Sequence, residues 1–276
     1  MNPMVKVQCI KHIYPDRTEV SLCGMDFIIE QGQRVVVLGA NGEGKTTLLS
    51  HVLGLLKPVE GTVEVMGLSP YDHFHQTRRQ MGVVFQNADE QMIGPRVYDD
   101  IAFTARNEGM QEEEIKEKVK AMAKELGIEP LLSKVPHYLS GGQKKKVALA
   151  GAMITEPPLL ILDEPFDSLD PKSKNEFIDQ LNYFHQKKGT TLLITTHDMN
   201  IVPLIADVVY VIYQGQIVLK GSWEEVFQKE EILEKAHLQA PLLVDLFLRL
   251  RKKGYNLSLP ATTEEGEAQI LTLLDK

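Results

Sequence analysis

The chain has 276 residues, enough to bury a sizeable core as one large domain or one with appendages. Lys plus Arg number 30 against 38 Asp plus Glu, a net charge of −8, which argues against nonspecific nucleic-acid binding, a task for a basic face. No apolar run approaches the roughly 20 residues that cross a bilayer, and Met1 to Lys6 lack an apolar signal core; the expectation is a cytoplasmic protein that meets a membrane only through partners.

In chain order, Val5 to Ile10 and Phe27 to Ile29 read as strands of an antiparallel flank. Cys9 and Cys23, the only cysteines, lack metal-ligand spacing and read as buried free thiols on early strands. The β-rich run Val35 to Leu38 leads into Gly39-Ala40-Asn41-Gly42-Glu43-Gly44-Lys45-Thr46, which fits the phosphate-loop pattern G-x-x-x-x-G-K-[ST]. Leu48, Leu49, Val52, Leu53 and Leu56 then follow helical spacing as far as Lys57, and Pro58 stops it. Asp72, His73 and His75 have no fourth ligand nearby and read as a solvated loop.

Three more apolar runs end in polar groups: Val83 to Phe85 at Gln86, Leu159 to Leu162 at Asp163-Glu164, and Thr191 to Thr196 at His197. Near-continuous apolar strands imply a mostly parallel sheet covered on both faces. Such sheets hold ligands at their carboxyl ends, so these groups should meet on one edge. Between them, about residues 87–157 read as an inserted helical block, with the charged run Glu112 to Lys118 as a solvated helix face and a break at Gly127. Within that block Ser140-Gly141-Gly142-Gln143 opens another helix and offers a second set of free N–H groups to an anion.

Strand-like runs at Val208 to Ile212 and Gly215 to Leu219 precede a capping box, Ser222 with Glu225. Beyond Pro241 the residues Leu242, Leu243, Leu246, Phe247 and Leu250 form one apolar stripe, and Ile270, Leu271 and Leu274 a shorter one. Two readings stay open for this tail: packing on its own core, or pairing with a second copy.

The chemistry follows from these groups. Backbone N–H groups of Gly42, Gly44 and Lys45 would wrap phosphates, Lys45 would neutralise β/γ charge, and Thr46 would hold Mg²⁺. Gly39, Asn41 and Thr47 complete that nucleotide-binding set. Glu43 is unfavourable beside phosphates unless its carboxylate points outward. Asp163 would support Mg²⁺ through water, and Glu164 would polarise the attacking water as general base.

The phosphate loop, Asp163-Glu164-Pro165, Ser168-Leu169-Asp170 and Leu139 to Gln143 together resemble the ATP-binding cassette (ABC) ATPases over about residues 5 to 222. That resemblance implies an α/β P-loop NTPase core with a mostly parallel sheet, an antiparallel β flank, an inserted helical subdomain and a C-terminal helical extension. It implies ATP and Mg²⁺, and two copies closing on ATP. Ser140, Gly141, Gly142 and Gln143 of one copy would face the γ-phosphate held by the other. By the same resemblance His197 is the switch histidine, Gln86 senses metal and γ-phosphate, and Tyr14 stacks on adenine. Lys146 stands where family members often carry Arg.

Tyr14-Pro15-Asp16, Phe85-Gln86-Asn87 with Asp89 and Gln91, and the tail from Pro241 to Pro260 with Gly254 resemble the energy-coupling-factor ATPases within that family. This implies a peripheral ATPase on the cytoplasmic face of the cell membrane, powering import of cobalt, nickel or a vitamin. Its partners would be a second ATPase (an identical copy or close paralogue), a transmembrane coupling protein and a membrane substrate-binding component, with no nucleic acid. Residues 1–222 would form the cassette and 223–276 an extension that pairs copies. The rivals are a soluble ABC ATPase acting on nucleic acid or ribosomes, or the ATPase of another ABC transporter class. The first usually needs two cassettes, a coiled coil or basic linkers, and none is visible. A P-loop GTPase would need the missing Asn-Lys-x-Asp motif.

Overall fold

The computed structural model describes residues 3–274. Strands β1 (Val5–Ile13), β2 (Glu19–Leu22), β3 (Phe27–Ile29) and β4 (Arg34–Leu38) lead into helix α1 (Lys45–Val52). Next come β5 (Glu60–Val65), α2 (Phe74–Arg78) and β6 (Met81–Val84). A helical stretch follows with α3 (Ala88–Gln91), α4 (Val97–Asn107), α5 (Glu112–Glu125) and α6 (Gly141–Met153). Then β7 (Leu159–Asp163), α7 (Pro171–Lys188), β8 (Thr191–Thr196) and α8 (Val202–Ile205) return to the sheet, which closes with β9 (Val208–Tyr213) and β10 (Gln216–Gly221). The tail carries α9 (Trp223–Phe227), α10 (Glu230–Lys235), α11 (Leu242–Lys252) and α12 (Thr263–Leu274).

The main sheet has the order β10-β9-β4-β8-β7-β6, parallel throughout except for β10, which runs against β9. Side chains alternate across a strand. Val35 and Val37 therefore enter a core under the antiparallel flank and α1, whereas Val36 and Leu38 enter a second core among the helices of the other face. Every residue of β7 and β8 is buried, which explains why these strands lack a polar alternation. In the flank, β1 pairs with β2, β3 and β5, all antiparallel. Ile115 and Val119 anchor α5, while Glu112 to Glu114 stay exposed as a solvated face.

Three local expectations are corrected. Cys9 and Cys23 are joined as a disulfide rather than free thiols, and Cys9 lies at the surface. The pairing of Ile10 with Leu22 in β1 and β2 brings the two positions opposite each other, a relation that residue spacing does not reveal. Helix α1 ends at Val52 instead of near Lys57. Gly54 takes a left-handed φ of +72°, and a Cβ there would sit 2.3 Å from the Pro70 carbonyl, so the chain turns before Pro58 is reached. His75 lies within α2 rather than in a loop, while Asp72 accepts a hydrogen bond from Ser69.

The apolar stripe of the tail is divided. Val244, Phe247 and Leu248 of α11 join the helical-face core, together with Trp223, Phe227, Leu257 and Leu259. Leu242, 84% exposed, and Leu246, 47% exposed, face outward. We expect Phe247→Ala, which empties a site buried to 0% exposure, to lower unfolding stability by about 3–5 kcal/mol in denaturant titrations. A loss below about 1 kcal/mol would mean that α11 does not pack on the body of the chain.

Candidate active site

Strand register decides which groups meet. Leu38 of β4 lies beside Thr196 of β8, Asp163 of β7 beside Thr195, and Val84 of β6 beside Leu162. These four strands thus end on one edge, and the loops leaving them converge there.

On this edge the loop from Gly39 to Thr46 wraps around its own lysine. Lys45 is 6% exposed and donates from Nζ to the carbonyls of Gly39 at 2.6 Å and Ala40 at 3.2 Å. Its Nζ also lies 3.3 Å from Glu164 Oε1. Gly44 has φ +93°, and a Cβ there would lie 3.0 Å from Val20 Cγ1 of β2; both the backbone conformation and the close strand exclude a side chain. A Cβ on Gly42, φ +87°, would meet nothing within 4 Å, so that side of the loop is open to a ligand.

Glu43 points outward. Its Oε2 accepts the backbone N–H of Gln214 at 2.5 Å, in the turn between β9 and β10. The carboxylate is thereby spent on holding that turn, where Gln214 has φ +49°. Tyr14 follows β1 and meets the first turn of α1 through its hydroxyl, 2.9 Å from Thr47 Oγ1. Its ring packs edge-on against His12, with centroids 4.5 Å apart.

Asp163 is 8% exposed and uses both oxygens: Oδ2 accepts from Thr46 Oγ1 at 3.2 Å and Oδ1 from Thr195 Oγ1 at 2.5 Å. The next residue, Glu164, has φ +41°, a left-handed conformation held by hydrogen bonds from its N–H to the Thr195 carbonyl and hydroxyl, each 3.1 Å. That turn directs its carboxylate back to Lys45 on one side and to the Nδ1 of His197, at 3.0 Å, on the other. Asp167 lies 3.9 Å from His197 Nε2 and accepts from Gln86 Nε2 at 2.9 Å. Glu164, Asp167 and His197 bring ligand atoms within 4.8 Å of one another.

The oxygen donors of Thr46 and Asp163, beside a loop that opens at Gly42, fit a small hard cation and the phosphates it accompanies. The edge therefore gathers Gln86, Lys45, Thr46, Thr47, Asp163, Glu164, His197 and Tyr14. Ser140 and Gln143 make no side-chain hydrogen bond to these groups among the described residues. Ser140 Oγ accepts from Gln143 N–H at 3.3 Å and Gln143 Oε1 accepts from Ser140 N–H at 3.1 Å, a closed capping box at the exposed start of α6. Among the described residues, the side-chain hydrogen bonds of Ser140 and Gln143 stay within that box.

Three groups at this edge escape a reading by motif. Thr195 lies within an apolar run, Asp167 follows Glu164-Pro165-Phe166, and Lys145 stands in a run of three lysines. Lys145 is instead 4% exposed and donates to the Phe85 and Gln86 carbonyls. Burial pushes its ammonium down to about 8, against the pull of Asp167, Asp163 and Glu164. The signal was present: Lys145, Leu149 and Met153 share the buried stripe of α6 at a spacing of four. Lys146 pairs with Glu176 of α7 at 2.6 Å, a single contact rather than a bidentate one.

Beside Gln86 lies a groove of about 260 Å³ between α2, β6, α4 and α6, lined by Leu55, Phe74, Phe85, Met92, Ile93 and Phe103 among others. Phe85, Ile93 and Leu55 are each more than two-fifths exposed on its rim.

A phosphate loop, an acidic pair ending the adjacent strand but one and a glycine-rich helix start set apart from both define a P-loop ATPase of the cassette type. The model of the family described as ABC transporter matches residues 22–167. A second model, described as an AAA domain, matches 135–202. The energy-coupling factor transporter ATP-binding protein EcfA of Methanosphaera stadtmanae is 38% identical over 281 residues, covering 99% of this chain and 100% of the relative. EcfA of Methanocaldococcus jannaschii is 43% identical over 243 residues, 87% of this chain and 86% of the relative. Among solved structures, cbiO1 from Clostridium perfringens, part of the ABC transporter complex cbiONQ, superposes with a TM-score of 0.77 at 36% identity, covering 91% of this chain and 100% of that one. The chain belongs to the ABC transporter ATP-binding family, in its energy-coupling-factor group.

Because Glu43 faces Gln214 rather than the cradle, Glu43→Ser should leave the KM for ATP within about threefold of the parent while costing about 1–2 kcal/mol of stability, the loss of one charge-assisted hydrogen bond. Steady-state ATPase assays and thermal melts check both. A tenfold change in KM with an unchanged melt would place the carboxylate at the nucleotide.

Proposed function

We propose that this chain is the ATP-hydrolysing subunit of an energy-coupling-factor importer, peripheral on the cytoplasmic face of the cell membrane. It would work with a second ATPase, a transmembrane coupling protein and a membrane component that selects the cargo, a cobalt or nickel ion or a vitamin. Residues 1–222 act as the cassette and 223–276 as an extension that pairs copies. The observation that carries the reading is the split between two phosphate-facing surfaces. Lys45, Thr46, Asp163, Glu164, His197 and Gln86 converge on one edge, and the helix start at Ser140 stands outside it. A glycine-rich helix start that shares no hydrogen bond with that edge is free to serve the nucleotide of a second copy.

Thr46, Asp163 and Gln86 would hold Mg²⁺, which supplies charge neutralisation at the β- and γ-phosphates. Lys45 would then turn its flexible four-carbon stem from the loop carbonyls to a phosphate oxygen, since its Nζ already lies inside the cradle. Glu164 orients the attacking water and takes its proton, and His197 fixes the direction of that carboxylate. Tyr14 gives adenine a flat face, worth about 1–3 kcal/mol. Ser140, with Gly141, Gly142 and Gln143, closes on the γ-phosphate of the partner copy, and loss of that phosphoryl group releases the grip. The apolar groove beside Gln86 suits a helix of the coupling protein, because its rim exposes Phe85 and Ile93 next to the residue that reads the nucleotide.

Glu164→Gln should lower kcat by at least about 100-fold while ATP still binds. In Mg²⁺ and ATP the variant should run as a stable dimer by light scattering, and chelating Mg²⁺ should abolish hydrolysis by the parent. A Glu164→Gln chain that stays monomeric when saturated with ATP would remove the shared-nucleotide reading. Purification from detergent extracts with nucleic acid or ribosomes, instead of membrane proteins, would favour the soluble alternative.

A further inference from the structure

Two lysines are buried among the described residues, Lys45 and Lys145, and only the first belongs to the phosphate loop. Burying an ammonium costs several kcal/mol unless its donors are used. Lys145 uses them on main-chain carbonyls: Nζ lies 2.7 Å from Gln86 O and 3.1 Å from Phe85 O. Its neighbours diverge. Lys144 reaches Asp89 of α3 at 2.5 Å, and Lys146 reaches Glu176 of α7 at 2.6 Å. Lys144 and Lys145 thus grip the segment Phe85 to Asp89 from a single helix, the one whose N-terminus is Ser140.

We propose that Lys145 is a positioning residue for ATP hydrolysis: it ties the backbone at Gln86 to helix α6, so that the Gln86 amide and the Ser140 cap move as one body. This rests on the proposed role of Gln86 at the metal and γ-phosphate, and adds what keeps it there. The physical reason lies in the position of Gln86. It is exposed, just past the end of β6, so the sheet no longer holds its backbone. Among the described residues its side chain is hydrogen-bonded to Asp167 alone. Without the ammonium, the Phe85 and Gln86 carbonyls lose a charged donor, and the loop is free to drift. The same helix lines the apolar groove through Val147, Ala148 and Gly151. A displacement at the groove is therefore passed by Lys145 to the glutamine of its own chain and by α6 to the cap that serves the partner copy.

Full-length chain carrying Lys145→Met, Gln86→Ala or both tests this through kcat, the KM for ATP, the Mg²⁺ concentration giving half-maximal rate, and thermal melts. Lys145→Met should lower kcat on the order of tenfold and raise the Mg²⁺ requirement while the KM for ATP changes less than about threefold, as expected for misplacement of a group used in the transition state. In the Gln86→Ala background the same substitution should cost less than about twofold more, because the two act through one loop. Lys145→Gln, which keeps N–H donors without charge, should recover part of the rate; it also serves if the methionine variant does not fold. A full loss that multiplies with Gln86→Ala, an unchanged kcat in Lys145→Met, or no recovery in a folded Lys145→Gln would overturn the proposal. An unchanged kcat in Gln86→Ala alone would instead overturn the role given to Gln86.

Discussion

The candidate active site is organised around the buried carboxylate of Asp163. Asp163 sits at the end of β7 with one oxygen bonded to Thr46 on α1 and the other to Thr195 on β8. Those two hydroxyls come from elements that flank the strand, so the carboxylate locks the first turn of the phosphate-loop helix to the sheet. Thr195 then does a second job, accepting the N–H of Glu164 through both its carbonyl and its hydroxyl. This holds Glu164 in a left-handed conformation that an L-residue avoids at a cost of about 1–2 kcal/mol. The cost has a use: an extended backbone would continue the strand and carry the carboxylate away from Lys45 and His197.

Helix α6 plays the complementary part. Its exposed start carries the Ser140 cap, its buried stripe carries Lys145, and further along it lines the groove beside Gln86. Gly142 shows how closely it is seated, since a Cβ there would lie 2.8 Å from Ser173 Oγ at the start of α7. A helix held at both its flank and its N-terminus transmits displacement rather than absorbing it, because packed interiors are stiff. Helix α6 thus touches all three places: it lines part of the apolar groove, bonds the Gln86 backbone through Lys145 and begins at the glycine-rich cap.

Much of this was readable from the chain because the strands are buried on both faces, which leaves them as continuous apolar runs ending in conspicuous polar groups. Asp163, Glu164, His197 and Gln86 could be assigned to one edge on that ground alone. What failed was tertiary. Cys9 and Cys23 depend on the register of β1 against β2, and α1 stops early because the Pro70 carbonyl lies against Gly54. That Glu43 needs an outward direction follows from charge; that Gln214 provides it, 171 residues away, does not. Lys145 had a signal in its spacing with Leu149 and Met153, but a lysine in a run of three beside a glycine-rich helix start invites reading as charge for an anion.

Burial in the tail is compatible with both open readings. A helix that only packs on its own core needs one apolar stripe. Helix α11 has two: Val244, Phe247 and Leu248 face inward, while Leu242 and Leu246, four residues apart, share an outer face. In α12, Leu271 and Leu274 are exposed as well. Exposed leucines concentrated on the tail fit the proposed contact with a second copy. The place of that contact matters, because Pro241 and Leu242 border the same cleft as Asp167, Ser168 and His197. Copies joined there would remain near each other after ATP is spent, and the next closure would be a unimolecular step at high effective concentration rather than a fresh encounter. Nucleotide would then govern the gap between the cassettes, with the tail setting whether they meet at all.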